Sequence, residues 1–146
     1  MTSEPEPELP APRFANGIDT APLLPKLETL IKNDWILVDS GASILKTYFF
    51  RKYFSAVSFV NVVAAQSASK SHHPTIKLRL GSVEIHWTSH HPPGLTGKDV
   101  DMAELCDEAA ELMGAVEKGK PQKCGPATAN LTPEEAQSSK VRYIVD

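Results

Sequence analysis

An α+β fold is predicted, with three helices packed on one face of a four-stranded antiparallel sheet in the order α-β-β-α-β-β-α. Three observations predict it. Residues 75–88 alternate apolar and polar about a Gly-Ser pair. Three longer stretches repeat apolar residues at spacings of three and four. Consecutive strand-like runs are joined by short turns, so they must pair antiparallel, and one sheet face must then be covered by the helices.

The elements follow in order. Residues 1–20 hold four of the twelve prolines and little apolar content, so they are expected to form a flexible acidic arm. In "APLLPKLETLIKN", Leu23, Leu24, Leu27, Leu30 and Ile31 share a helical face, and Pro22 and Pro25 fit only near the helix start. "DWILVD" and "SILKTYFF" read as two strands. "RKYFSAVSFVNVVAAQSASK" is rich in valine but too long for a strand; Tyr53, Ala56, Phe59, Val60 and Val63 recur with helical period. The alternating stretch reads as a hairpin turning at Gly81-Ser82. Ile76, Leu78 and Leu80 lie on one face of its first strand, and Val83, Ile85 and Trp87 share a face of its second. Pro92-Pro93-Gly94 ends that strand. Thr96 with Asp99 forms a capping box, flanked by a Leu95–Val100 staple, and Leu105, Ala109, Leu112, Met113 and Val116 are expected to be the buried stripe of the last helix. The globular domain is thus placed at 21–116, followed by a polar tail at 117–146 in which "LTPEEAQ" and "VRYIVD" are the structured candidates.

Composition narrows the function. The 146 residues carry a formal net charge of −3, and the 15 Lys and Arg are dispersed, which argues against nucleic acid as a direct partner. No apolar run reaches the ~18 residues of a membrane span. The first residues lack the pattern of a secretory or transit signal, so a soluble intracellular protein is expected. Two cysteines are too few for a disulfide scaffold, and Cys106 suits a small buried apolar role. Asn130 begins a glycosylation sequon expected to be unused.

Four of the five histidines occur as two pairs, His72-His73 and His90-His91, at the outer ends of the predicted hairpin. Hairpin pairing brings its two ends together, so His72, His73 and His90 are expected at one end of the sheet. Pro74 restricts His73 to extended backbone and so defines the splay of the two rings. Three readings compete. The histidines could be unrelated surface residues. They could bind a metal, since imidazole suits zinc, copper and iron, although adjacent ligands seldom converge and acids are sparse nearby. They could perform acid–base chemistry, since histidine titrates near neutral pH. His86 alternates with Ile85 and Trp87, which points to the solvated sheet face, and His91 is read as a spectator.

At "SHHPTIKLRLGSVEIHWTSHHPPGLTGKDVDMAELCDE" the chain resembles the pterin-4a-carbinolamine dehydratase family. The matching motifs are His72-His73-Pro74, Ser89-His90, Gly94-Leu95-Thr96 and Asp99, with Phe50, Ala56, Phe59, Ala64 and Gln66 upstream; the likeness covers about residues 22–116. It implies the same α+β fold, a homodimer or homotetramer, and the dehydration of 4a-hydroxytetrahydrobiopterin to quinonoid dihydrobiopterin, with neither a metal nor an organic cofactor. It also implies His72 and His90 as the acid–base pair, His73 as a further catalytic and pterin-binding residue, and Pro74 and Ser89 at the substrate. Asp99 is assigned to the helix start. The resemblance further implies a cytoplasmic protein. An alternative is a non-catalytic binding protein or a transcription-factor dimerisation partner, which would also place it in the nucleus. Ala68, Thr75 and His91 stand where the family usually has acids, Leu80 where an aromatic is common, and Pro92-Pro93 where small residues are usual. Few carboxylates are therefore expected around the imidazoles.

Overall fold

The computed structural model describes residues 10–117. The remainder of the polar tail, with Cys124, Asn130, "LTPEEAQ" and "VRYIVD", lies outside them, as do residues 1–9. Helix α1 (Leu23–Lys32) leads to β1 (Ile36–Val38), a 3-10 turn at 39–41, β2 (Ser43–Phe49) and helix α2 (Tyr53–Lys70). Strands β3 (Thr75–Arg79) and β4 (Ser82–Trp87) follow, then a small hairpin of β5 (Ser89–His90) and β6 (Pro93–Gly94), and helix α3 (Gly97–Leu112). The four main strands form one antiparallel sheet in the order β1-β2-β4-β3. The expected architecture is present; the β5–β6 pair is an addition that short-range alternation does not signal.

Burial explains the layering. Val83, Ile85 and Trp87 of β4, and Ile44 of β2, are completely buried, with Tyr48 nearly so. Phe59 and Val63 of α2 and Val100, Ala103 and Cys106 of α3 close over them. Removing such apolar surface from water is the main stabilising contribution, ~2 kcal/mol per large side chain. Phe59 also meets Tyr48 edge-on at a centroid distance of 4.9 Å.

Several sequence expectations shift. In α1 only Leu23, Leu27 and Leu30 are buried, while Leu24 and Ile31 flank the stripe in solvent. In α2 the buried positions are Ala56, Phe59, Val63 and Ser67, leaving Tyr53 exposed. The stripe of α3 is rotated: Asp99, Val100, Met102, Ala103, Cys106, Ala109 and Ala110 are buried, and Leu112 is exposed. Small residues at 103, 106 and 110 let that face approach the sheet and its neighbours closely, which outweighs the larger hydrophobes of the other face. The helix ends at Leu112 rather than reaching 116, and Val116 instead bridges Phe49. The β3–β4 turn is Leu80-Gly81, one residue earlier than expected, because Arg79 pairs with Ser82.

The arm expected over residues 1–20 docks in its second half. Arg13 N–H donates to the Gly41 carbonyl (2.8 Å), Ala15 N–H donates to the Leu95 carbonyl (2.9 Å), and Leu95 N–H donates to Arg13 (3.0 Å). Gly94 makes this contact possible. Its φ of 121° lies where L side chains rarely go, and a Cβ there would stand 2.9 Å from the Ala15 backbone nitrogen.

Candidate active site

The site is assembled from the end of α2, the end of the β3–β4 hairpin and the start of α3. Ser71 stops α2 in the left-handed conformation (φ 50°), and His72 N–H then donates to the Ser67 carbonyl at 3.1 Å. This anchors the His72 backbone to the helix. Its ring lies flat against Trp87, with centroids 5.3 Å apart and planes 15° from parallel. Trp87 is wholly buried, so the imidazole has a rigid wall on one side.

Asp99 completes the arrangement. It is fully buried, yet every oxygen has a partner. Oδ1 is 2.6 Å from His72 Nε2. Oδ2 accepts the Ser89 hydroxyl at 2.8 Å and the Thr96 backbone N–H at 2.9 Å, and Ser89 Oγ is also 2.8 Å from Thr96 Oγ1. The capping box forms as expected and Leu95 and Val100 are buried beside it. A buried carboxylate is tolerated only when hydrogen-bonded and paired in this way. Asp99 therefore has two roles, capping α3 with one oxygen and holding His72 with the other. The expectation of few carboxylates near the imidazoles is corrected by this residue, and so is its assignment to the helix start alone.

A cavity of about 810 Å³ opens here, lined by His72, His73, Ser89, His90 and His91, with Thr88, Thr96, Lys98 and Asp101 around them. Of the site residues expected from the sequence, His72, His73, Ser89 and His90 share it. Pro74 is not among the residues that line it. His91, read as a spectator, does line it. Ile18 also reaches it, from the segment expected to be flexible. His86 is on the other sheet face, as its alternation implied, and there its Nε2 is 2.8 Å from Asp39 Oδ2. Among the described residues no group of three or more His, Cys, Asp or Glu is gathered to hold a metal.

The model of the family described as pterin 4 alpha carbinolamine dehydratase matches residues 19–109. The chain belongs to this family. It is 33% identical over 78 residues to a Halobacterium salinarum protein provisionally named pterin-4-alpha-carbinolamine dehydratase, spanning 53% of this chain and 84% of that one. A Natronomonas pharaonis protein of the same provisional name is 35% identical over 71 residues, covering 49% and 77%. The fold is also that of the crystal structure titled transcriptional coactivator/pterin dehydratase from Brucella melitensis. The TM-score is 0.58 at 23% identity, over 65% of this chain and 99% of that chain.

A second cavity, about 960 Å³, lies at the other end of α3, beside Lys46, Tyr48 and Asp107. Asp107 Oδ1 accepts from Lys46 Nζ (2.8 Å), the Tyr48 hydroxyl (2.5 Å) and Trp35 Nε1 (3.1 Å). Its described lining contains no histidine or cysteine. It is larger than the histidine-lined cavity, yet its described lining has no group suited to exchanging protons near neutral pH.

Proposed function

We propose that this chain dehydrates 4a-hydroxytetrahydrobiopterin to quinonoid dihydrobiopterin and water. The reading is supported above all by the sharing of one cavity by His72, His73 and His90, with His72 backed by a buried carboxylate. Family membership supplies the substrate class.

The reaction needs two proton movements. The N5 proton must leave so that the nitrogen lone pair can form the new double bond to C4a. The 4a-hydroxyl must gain a proton so that the C4a–O bond can break with water as the leaving group. With Nε2–H donating to Asp99, the His72 ring presents Nδ1 as an acceptor, so His72 is the base for N5–H. His90, exposed at the cavity wall, is the acid for the hydroxyl. One ring gains the proton that the other loses, and exchange with solvent restores both. His73 contacts and orients the pterin, and Ser89, in the cavity lining, holds Asp99 in place. The protein works in the cytoplasm as a homo-oligomer.

Stopped-flow decay of the 4a-carbinolamine tests this. His72→Ala and His90→Ala are each expected to slow dehydration at least ~10-fold, within the range for removing one acid or base. Unchanged turnover in both variants would remove the assignment. A second reading, a binding role with a transcription-factor partner, is favoured by Phe54 at the start of α2 and Leu80 in the β3–β4 turn, which are 78% and 80% exposed. Wild-type protein with no dehydration above the spontaneous rate would select it.

A further inference from the structure

We propose that residues 10–18 form a strap that completes the histidine-lined cavity, with Ile18 at its end as a binding residue, the apolar wall on which the substrate's ring face rests. The inference rests on the pterin reading above and adds how the flat ring is held.

Ile18 lines the cavity, is half-buried and packs against the core. Its position is fixed from both sides. Upstream, the backbone bonds of Arg13 and Ala15 to Gly41 and Leu95 dock the strap, and Phe14 bridges Leu95. Downstream, Asp19 Oδ1 accepts the Ala21 N–H at 3.2 Å, and the Thr20 carbonyl accepts from Leu23 and Leu24 at the start of α1. Gly41 leaves room for the strap much as Gly94 does, since a Cβ on Gly41 would overlap the Ala11 carbonyl oxygen. The strap precedes residues 19–109, which match the family model, so the family motifs do not supply this wall.

The wall offers what the rest of the lining lacks. The four histidines, Thr88 and Ser89 present polar groups, suited to the N–H and C=O edges of a pterin. Among the described lining residues only Ile18 and Pro92 have side chains made wholly of larger hydrocarbon, and Pro92 is exposed. A flat ring held in a pocket needs apolar surface for its faces as well as polar groups for its edges. Isoleucine has no proton to exchange, so its contribution is to binding and is equal before and during the reaction. Losing such a contact raises KM and leaves kcat alone.

Stopped-flow dehydration by the full-length protein, with kcat and KM separated, tests this. Ile18→Ser is expected to raise KM about three- to tenfold, the scale of one partly buried apolar side chain, at unchanged kcat. Ile18→Leu keeps KM near wild type. Gly41 does not line the cavity, and Gly41→Ala displaces the strap and raises KM by a similar factor. Combining it with Ile18→Ser adds no further rise, because both changes remove the same contact. A KM unmoved by Ile18→Ser, whether or not kcat falls, overturns the proposal while leaving the histidine site intact. A Gly41→Ala protein with lowered Tm but unchanged KM overturns the role of the strap. Ile18→Ser alone decides the case if Gly41→Ala does not fold. Wild type with no dehydration above the spontaneous rate overturns the pterin reading itself.

Discussion

Asp99 lies in the first turn of α3 and Asp107 in its C-terminal half, and each gathers donors from three residues, but they serve different ends. Asp99 is fully buried between Ser89, Thr96 and His72. Asp107 is partly exposed between Trp35, Lys46 and Tyr48. The carboxylate is the same chemical group in both. What differs is the partner: an ammonium and a phenol keep their protons at neutral pH, whereas an imidazole exchanges its proton there. Burial and the nearby Asp107 charge push the Tyr48 hydroxyl still further from ionising. One cluster can therefore move protons, and the other can only hold β1, β2 and α3 together. Cavity size favours the Asp107 end, and proton chemistry the Asp99 end.

Substitutions can break that contrast. The largest effect is expected at the Asp99 end. Asp99→Asn keeps the shape but removes the charge behind His72, and dehydration should fall ~10- to 100-fold, with a changed pH–rate profile. A change confined to stability would reduce Asp99 to a cap. At the other end, Asp107→Ala leaves three donors without an acceptor and should destabilise the fold by ~2–3 kcal/mol in urea unfolding. Turnover per folded molecule should be unchanged; a loss as large as that of Asp99→Asn would erase the distinction.

Two smaller effects concern pH. Burial pushes the Cys106 thiol from 9.0 up to about 12 and raises the Tyr48 hydroxyl in the same direction. The unfolded chain then releases these protons first, so stability is complete below about pH 9 and declines above it. Cys106→Ser should flatten that decline in unfolding curves taken between pH 8 and 10.5, windows set by the ordinary thiol and phenol ranges. The smallest effect belongs to the exposed His86–Asp39 pair. The hydrogen bond from His86, then that from Ser43, holds the Asp39 carboxyl below its ordinary 3.8. Its contribution is present above that range and lost as pH falls through the lowered value. The Tm difference between wild type and His86→Ala should be slight at pH 6 and absent at pH 2.5.

Much was legible along the chain because it depends on local period and turn chemistry. The hairpin, the capping box and the clustering of His72, His73 and His90 follow from alternation, from Thr96 and Asp99, and from two ends of one strand pair meeting. The sequence also carried the family motifs. Only the tertiary structure decided which face of α3 is buried, because Leu105 and Leu112 compete with Ala103, Cys106 and Ala110 and the choice depends on how closely the sheet approaches. For the same reason it alone revealed the second role of Asp99. A cap is a contact between residues three apart, readable in one dimension, whereas the bond to His72 spans 27 positions and exists only once α2, β5 and α3 converge.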